Sequence, residues 1–305
     1  MYDLIIIGAG PAGLSAAVYG RRAGLDLMII EQTPMGGGQV VDTYEVDNYL
    51  GMPGVNGFDL AQKFRSHADG LGAIFLSGRV TAVRNEGDLK IVETADGASY
   101  EARTLILAGG AEHAKLGVPG EAEFRGQGVS YCATCDGAFF KKRDVAVVGG
   151  GDVAVEDAVY LARFCRKVYL IHRRDSLRAA KSLQEKLFSC ENVEVVWNST
   201  LTRIQGSDLV ESICIHPKDG DAERELAVDG VFIAVGMQPK TELYRALLAC
   251  DESGYLIAGE DCATSVPGIF AAGDIRTKAL RQIVTAVSDG ACAVASVERY
   301  LTSHV

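Results

Sequence analysis

Two stretches of the chain repeat one pattern of apolar and polar positions. Residues 3–31 and residues 144–173 each contain a short apolar run, a glycine cluster, a segment of helical periodicity and a second apolar run. The apolar runs lack polar alternation, which is typical of strands in a parallel sheet that is covered on both faces. The two repeats therefore predict an α/β fold with two Rossmann-like nucleotide-binding domains.

The first repeat has the glycine spacing that a dinucleotide phosphate requires. Gly8, Gly10 and Gly13 follow the first apolar run and open a predicted helix over 12–22. The first glycine permits a tight turn, the second lets the backbone approach a pyrophosphate, and the third lets helix and strand pack closely. The helix start adds free N–H groups and a positive dipole end. The second repeat has the same arrangement as a GxGxxA sequence over 149–154.

The two repeats end in side chains of opposite charge. Glu31 ends the second strand of the first repeat, where a carboxylate can accept hydrogen bonds from ribose hydroxyls. The second repeat has His172, Arg173 and Arg174 at that place, and Arg178 follows. Arginines offer a 2′-phosphate bidentate, charge-assisted bonds, whereas an acid would repel it. The second repeat is therefore predicted to bind NADP(H) and not NAD(H), and a solvated basic face is the alternative.

Two different nucleotide sites in one chain suggest a path for electrons. A flavin in one site and NADPH in the other would let a hydride pass to a tightly held acceptor. The spacing of the glycines does not by itself say which repeat holds the flavin.

A Cys-x-x-Cys sequence lies just before the predicted strand 144–148. Cys132 and Cys135 have the spacing of a redox dithiol, and two inert buried cysteines are the alternative. We predict no metal, because zinc would need a second ligand pair and no other CxxC or HxxxH occurs. Asp136 can move the proton that thiol–disulfide exchange requires, or it can cap a turn with Gly137. We assign core packing to the other six cysteines, Cys165, Cys190, Cys214, Cys250, Cys262 and Cys292.

Composition excludes several classes of protein. The chain has 305 residues, of which 35 are glycine and seven are proline, and its formal charge is −10. Because nucleic acids are also negatively charged, the sequence predicts no nucleic-acid partner. No apolar run approaches the roughly 18 residues of a membrane span, so no membrane association is predicted. The N-terminus carries Asp3 and no basic region or cleavage site, and thus is not expected to be a signal peptide. We expect a cytoplasmic protein.

These motifs together resemble one family. From residue 2 to about 302, the chain is similar to the low-molecular-weight thioredoxin reductases. The similarity is carried, in chain order, by the first GxGxxG, CATCDG, GGGDxAxE at 149–156, HRRDxxR at 172–178 and AAGDI at 271–275. The resemblance implies a homodimeric FAD enzyme that takes electrons from NADPH and reduces the disulfide of thioredoxin or of a thioredoxin-like protein.

The resemblance also implies how the domains are arranged. An FAD-binding domain in two parts, residues 1–113 and 239–305, would hold an inserted NADPH-binding domain, residues 114–238, which carries the CxxC. Because the nicotinamide and the cysteines would both have to meet the flavin, the family rotates the inserted domain between the two half-reactions.

Individual roles follow from the resemblance. Cys135 would face the flavin, Cys132 would attack the partner's disulfide, and Asp136 would be the acid/base. Implied FAD-binding residues are Gly8, Gly10, Pro11, Ala12, Gly13, Glu31, Gln32, Gly38, Gln39, Val40, Asn48, Val80, Asp274, Arg281, Gln282 and Ile283. Implied NADPH-binding residues are Gly149, Gly151, Asp152, Val153, Ala154, Glu156, His172, Arg173, Arg174 and Arg178.

The chain departs from the family pattern where thioredoxin docks. Gln127 stands where the family commonly has an arginine, and Ala138 precedes Phe139 and Phe140, where the family usually has two or three aromatics. The two phenylalanines are interpreted either as exposed anchors for the partner or as core residues. Alternatives to the reductase are a related flavin disulfide reductase with another donor, such as ferredoxin, or another partner, and a non-catalytic redox sensor.

Overall fold

The chain divides into two compact units. The computed structural model describes residues 1–43, 46, 48–218, 220 and 222–304. The first unit comprises Met1–Glu112 and Gln238–Val305, and the second unit comprises His113–Met237. The chain therefore leaves the first unit once and returns to it once.

Strands and helices alternate along much of the chain. The strands are β1 (Tyr2–Ile7), β2 (Leu27–Glu31), β3 (Ile74–Ser77), β4 (Val80–Glu86), β5 (Leu89–Thr94), β6 (Ser99–Leu107), β7 (Ala111–His113), β8 (Val129–Ser130), β9 (Asp144–Gly149), β10 (Lys167–Ile171), β11 (Val193–Val196), β12 (Ser199–Gly206), β13 (Val210–Pro217), β14 (Arg224–Ala227), β15 (Gly230–Ala234), β16 (Met237–Pro239) and β17 (Ile269–Ala271). The α-helices are α1 (Pro11–Arg22), α2 (Gly57–Gly70), α3 (Ala133–Asp136), α4 (Asp152–Ala162), α5 (Lys181–Phe188) and α6 (Ile283–Ser303). Two 3₁₀ segments cover Gly38–Asp42 and Gly137–Phe140.

The first unit is built on a seven-stranded sheet of order β3-β2-β1-β6-β5-β4, with β17 also paired to β6. Strands β3, β2, β1, β6 and β17 are parallel, and β4 and β5 are antiparallel. In β1, Leu4 and Ile6 belong to one core cluster with residues of α1 and α6, whereas Ile5 and Ile7 belong to a second cluster on the other face. The sheet is thus covered on both faces, as its unbroken apolar strands predict.

The second unit repeats this plan on a smaller scale. Its five-stranded sheet has the order β11-β10-β9-β15-β8, and the paired strands run parallel. In β9, Val145 and Val147 pack in a cluster with helix α4, whereas Ala146 and Val148 pack with residues of the antiparallel sheet β12-β13-β14. The prediction of an α/β fold with two Rossmann-like domains is confirmed.

Helices α1 and α6 of the first unit lie in close contact. A Cβ atom on Gly290 would come within 2.2 Å of the carbonyl oxygen of Ala12, so only glycine permits this approach. The hydroxyl of Ser15 donates to the carbonyl of Val287 at 2.7 Å. This packing holds the start of α1 beside the C-terminal helix, 272 residues away in sequence.

Candidate dinucleotide and redox sites

The first glycine turn combines two glycines that the backbone requires with one that leaves open space. Gly8 has a φ of +105°, and a Cβ atom there would lie 2.5 Å from the carbonyl oxygen of Ala108. A Cβ on Gly13 would lie 1.9 Å from the carbonyl oxygen of Gly8. On Gly10 the nearest atom would be the Cα of Gly38 at 3.8 Å, an ordinary contact. Gly10 therefore leaves an open space, a cradle in which the backbone is accessible and which a side chain would fill. A pyrophosphate can approach the backbone there.

A second glycine loop lies against this turn. The amide of Gly37 donates to the carbonyl of Ala9 at 2.7 Å, and Gln39 Nε2 donates to the carbonyl of Ala111. Val40 is buried in the 3₁₀ segment that follows. The structure thus brings Gly38 and Gln39 next to the GxGxxG turn, with Pro11 and Ala12 opening helix α1 beside them.

Glu31 also points at the first turn. Its Oε2 accepts from the amide of Ala9 at 2.7 Å, and its Oε1 accepts from the amide and hydroxyl of Thr33 at 2.8 and 2.9 Å. A carboxylate has about four lone-pair positions, so acceptor capacity remains for a ribose hydroxyl. Gln32 follows as an exposed residue, and Val80, which starts β4, packs half-buried against the cluster that holds Ile7.

Asp274 supplies a buried acceptor without a partner. It follows β17 through Ala272 and Gly273, and its Oδ1 makes no hydrogen bond to any residue that the structure describes. Burial raises the pKa of Asp274, and the charges of Lys278 and Arg281 oppose that effect. Because a buried polar atom costs free energy unless it is hydrogen-bonded, this oxygen fits a donor from a bound molecule, such as a hydroxyl of an FAD ribityl chain.

The start of helix α6 gathers further predicted residues. Gln282 is the N-cap of α6, and its Oε1 accepts from Asn48 Nδ2 at 2.8 Å across 234 residues of sequence. The Arg281 guanidinium lies 3.8 Å from the centre of the Tyr255 ring, and its buried Nε has no partner among the described residues. Ile283 is the first residue of the helix, whose start is closed by a capping box: the Gln282 side chain accepts from the amide of Thr285, and the Thr285 hydroxyl accepts from the amide of Gln282.

A buried ion network supports this loop and was not predicted from the sequence. Asp289 of α6 accepts from Arg276 Nε and Nη2 at 2.9 and 2.7 Å, from Lys278 Nζ at 2.8 Å and from the amide of Gly273 at 2.8 Å. Burial alone would raise the pKa of Asp289, but the hydrogen bonds from Arg276 and Lys278 lower it overall. The network fixes the backbone next to Asp274. The sequence signal was an acid within the apolar pattern of α6.

The second glycine turn has the same division of roles. A Cβ on Gly149 would lie 2.4 Å from the carbonyl oxygen of Ala234, and one on Gly150 would lie 2.1 Å from the His172 ring. A Cβ on Gly151 would meet nothing within 4 Å. Gly151 therefore leaves the open cradle at the start of helix α4, where Ala154 is buried and Val153 and Glu156 are exposed.

The segment after strand β10 is tied to this turn. His172 is only 5% exposed, with Nδ1 2.8 Å from the carbonyl oxygen of Gly149 and Nε2 3.0 Å from that of Ser176. The amide of Arg178 donates to the carbonyl of Gly150 at 2.8 Å, and Asp152 Oδ1 accepts from the amide of Ala180 at 2.8 Å. The imidazole therefore supports the turn from within the unit.

Three arginines remain available beside the second turn. Arg173, Arg174 and Arg178 are exposed, and within the described ranges none of their guanidinium groups pairs with a carboxylate. Unpaired cations next to an open helix start suit a phosphorylated ligand.

The two cysteines of the CxxC sequence form a disulfide, with their Cα atoms 5.3 Å apart. Cys132 is the N-cap of helix α3, and its Sγ accepts from the amide of Cys135 at 3.2 Å. Asp136 stands at the N-cap position of the following 3₁₀ segment, but its side chain makes no capping hydrogen bond there. Its Oδ2 instead accepts from the hydroxyl of Ser130 at 2.5 Å, a residue that the sequence had not singled out. The other six cysteines are free thiols.

The two phenylalanines after the redox sequence have different environments. Phe139 is 78% exposed, whereas Phe140 packs edge-on against Phe232 with ring centres 5.3 Å apart. One residue thus belongs to the core and one to the surface. In the described part of the chain, no helix is long and apolar enough to span a membrane, and no group of His, Cys, Asp and Glu side chains suits a metal ion.

Two dinucleotide-type turns and a Cys-x-x-Cys disulfide in one chain define a class, the nucleotide-dependent disulfide oxidoreductases. Comparison with known proteins agrees: the chain belongs to the pyridine nucleotide-disulphide oxidoreductase family, whose pattern matches residues 2–290. It is 48% identical to the thioredoxin reductase of Listeria innocua, over 99% of this chain and 94% of that protein. It is 47% identical to the thioredoxin reductase of Bacillus subtilis, over 99% and 95%.

Solved structures give the same result. The thioredoxin reductase of Lactococcus lactis superposes with a TM-score of 0.84 at 40% identity, covering 99% of this chain and all of that one. The thioredoxin reductase of Streptococcus pyogenes superposes with a TM-score of 0.76 at 47% identity, covering 99% of each chain. The resemblance to the low-molecular-weight thioredoxin reductases is confirmed.

Proposed function

We propose that this chain is an NADPH-dependent flavoenzyme that reduces the disulfide of thioredoxin, or of a thioredoxin-like protein, through Cys132 and Cys135. One observation carries the proposal: the closed CxxC disulfide lies in the same unit as an open glycine turn flanked by three exposed arginines that pair with no carboxylate among the described residues. The relatives that are 47–48% identical are named thioredoxin reductases, which supports the choice of partner.

The first unit would hold FAD. The open cradle at Gly10, the carboxylate of Glu31 and the unpartnered Oδ1 of Asp274 are three features that fit its phosphates, ribose and ribityl hydroxyls. FAD, when bound, accepts a hydride from the nicotinamide and returns two electrons to a disulfide. The chain's own contribution is to orient the cofactor between the two glycine loops and the start of helix α6.

The second unit would hold NADPH. Its pyrophosphate would lie on the start of helix α4 at Gly151, and Arg173, Arg174 and Arg178 would bind the 2′-phosphate. His172 would act indirectly, because it holds the turn through the carbonyls of Gly149 and Ser176. The unit would rotate about the two chain crossings between the half-reactions, so that nicotinamide and disulfide meet the flavin in turn.

The dithiol then carries the electrons outward. The Cys132 thiolate attacks the partner's disulfide, whose S–S bond breaks, and a mixed disulfide forms. The Cys135 thiolate attacks this bond, re-forms the Cys132–Cys135 disulfide and releases the partner as a dithiol. Asp136 relays protons to the leaving sulfurs. The exposed Phe139, four residues after Cys135, would contact the partner. A homodimer and a cytoplasmic location complete the proposal.

The test is an anaerobic titration of the purified yellow protein, first with NADPH and then with oxidised thioredoxin, followed at the flavin absorbance. We expect bleaching by NADPH and recovery of the absorbance with thioredoxin. Bleaching without recovery would replace thioredoxin by another disulfide partner. If NADPH fails to bleach the protein while reduced ferredoxin succeeds, the donor assignment is wrong, and failure of both would favour a redox sensor.

A cysteine variant tests the electron path. Cys135→Ser should keep NADPH-driven flavin reduction and lose turnover of thioredoxin, because the disulfide can no longer form. Cys190→Ser is the matched control, since Cys190 is a free thiol of the same unit. Turnover by Cys135→Ser at the wild-type rate would remove this cysteine from the mechanism.

A further inference from the structure

Ser130 lies between Asp136, the proposed acid/base, and Cys132, the proposed nucleophile. It ends strand β8 and is 6% exposed. Its Oγ is 2.5 Å from Asp136 Oδ2, 3.0 Å from the amide nitrogen of Cys132 and 3.2 Å from the Cys132 carbonyl oxygen. No other buried hydroxyl in the described residues has contacts with both the redox pair and an acid.

The direction of these hydrogen bonds follows from the number of protons. A serine hydroxyl has one proton to donate and two lone pairs to accept with. The Cys132 amide can only donate, so it occupies a lone pair of Ser130 Oγ. Of the two acceptors, the carboxylate oxygen is the closer and the charged one, so the hydroxyl proton goes to Asp136. The chain of donors runs from the Cys132 amide through Ser130 to Asp136 Oδ2.

We propose that Ser130 is a positioning residue for proton transfer in this reaction: by holding Oδ2 of Asp136 it fixes the carboxylate and leaves Oδ1 to exchange protons with sulfur. This inference rests on the proposed function. Within the described residues Oδ1 of Asp136 makes no hydrogen bond, so it is available. The same hydroxyl accepts from the backbone amide of Cys132, and it therefore holds the acid Asp136 and the nucleophile Cys132 in a fixed relative position.

The proton balance of the reaction indicates for which disulfide substrates Ser130 should affect the rate. Exchange converts the enzyme dithiol and a partner disulfide into an enzyme disulfide and a partner dithiol, so two protons pass from enzyme to partner. Alkyl thiolates leave slowly without a proton, whereas aryl thiolates leave readily because their pKa is low. A residue that orients Asp136 should therefore affect reduction of alkyl disulfides, which include protein disulfides, and not of aryl disulfides.

The test compares Ser130→Ala with two controls. We expect Ser130→Ala to lower kcat for thioredoxin by roughly 10- to 100-fold, from the loss of a hydrogen bond to a charged group. The KM for thioredoxin, the rate of flavin reduction by NADPH and the reduction of 5,5′-dithiobis(2-nitrobenzoate), an aryl disulfide, should stay unchanged. Ser130→Thr keeps the hydroxyl and should restore most of kcat.

Ser212→Ala is the matched control for burial. Ser212 is a 7% exposed serine of the same unit that donates to the Glu225 carboxylate at 2.6 Å in the antiparallel sheet. Its loss should leave all three rates unchanged.

A double-mutant cycle decides whether Ser130 acts through Asp136. In the Asp136→Asn background, Ser130→Ala should cost less than threefold, because the group that it orients is gone. Additive losses would overturn the proposal, and so would equal losses with the alkyl and aryl disulfides. If wild-type protein does not reduce thioredoxin, the proposed function fails separately, and the same series is run with bis(2-hydroxyethyl) disulfide as the alkyl probe.

Discussion

The two glycine turns follow parallel strands, β1 in the first unit and β9 in the second, but the residue at or directly after the end of the neighbouring strand differs, and with it the residue that each turn can accept. In the first unit this residue is Glu31, whose carboxylate accepts from the amide of Ala9. In the second unit it is His172, whose ring fills the space in which a Cβ of Gly150 would lie. Alanine thus fits after the first glycine of the first turn, at Ala9, whereas glycine is required at the equivalent position of the second turn, Gly150.

The side chains around the two turns differ in the kind of ligand group that they could bind. The first unit has a buried acceptor, Asp274 Oδ1, with no donor among the described residues. The second has Arg173, Arg174 and Arg178 at its surface, and no acid among the residues that the structure describes pairs with them. One backbone plan can therefore serve two dinucleotides, because selectivity resides in the few side chains around the turn.

The largest effect is expected from the arginines of the second turn. Arg173→Ala with Arg174→Ala should raise the KM for NADPH by about two to four orders of magnitude, since each of the two lost charged bonds is worth about 1.5–3 kcal/mol. The KM for NADH should change little, because NADH has no 2′-phosphate. Steady-state rates with both nucleotides measure this.

Arg166→Ala is the control, because Arg166 is an exposed arginine of the same unit whose guanidinium is paired with Asp144 at 2.7 Å. An unchanged preference of the double variant for NADPH over NADH would mean that the arginines are a solvated basic surface and that the contrast with Glu31 has no functional meaning.

A smaller effect, of opposite sign for binding and stability, is expected in the first unit. Asp274→Asn should weaken FAD binding by about tenfold, because a charge-assisted hydrogen bond becomes a neutral one. The same change should stabilise the flavin-free protein by about 1 kcal/mol at pH 7, since it removes the charge of a carboxylate whose Oδ1 is buried and has no hydrogen-bond partner among the described residues. Flavin content and thermal unfolding of the flavin-free protein are the measurements.

The change in stability caused by Asp274→Asn should depend on pH, and its sign follows from the raised pKa of Asp274. The folded pKa of Asp274 is raised, so the unfolded chain ionises first as pH rises above about 3.8, and the wild-type protein loses stability from there to the folded pKa. The advantage of Asp274→Asn should therefore be full at neutral pH and vanish below about pH 3.8. An advantage that persists below about pH 3.8 would indicate that the gain in stability does not come from removing a buried charge.

Much of the fold and part of the site could be predicted from the sequence, and the division has a physical cause. The unbroken apolar runs and glycine spacing are local signals, and they fixed both sheets and turns. The Asp289 network and the Ser130–Asp136 hydrogen bond depend on rotamers and on elements that fold together, which no periodicity encodes. The requirement for Gly150 is of this kind, because it arises from a ring 22 residues away in sequence.

The last effects concern protein stability and test the residue that follows the first glycine of each turn, Ala9 or Gly150. Gly150→Ala should destabilise the protein by about 1–3 kcal/mol, because the new Cβ would lie 2.1 Å from the His172 ring and must displace it. Gly151→Ala, which meets nothing within 4 Å, should leave thermal unfolding unchanged and raise the KM for NADPH. In the first turn Ala9→Gly should cost only about 0.5–1 kcal/mol, through the entropy of the unfolded chain.

The coupling to His172 separates this account from a general intolerance of the turn. If the clash is the cause, Gly150→Ala should cost much less in a His172→Ala background, because the ring that the methyl group meets is absent. Denaturant unfolding of the four proteins in this cycle measures the coupling. Additive losses would mean that Gly150 is required by its own backbone. The difference between the two turns would then not originate in the contrast between Glu31 and His172.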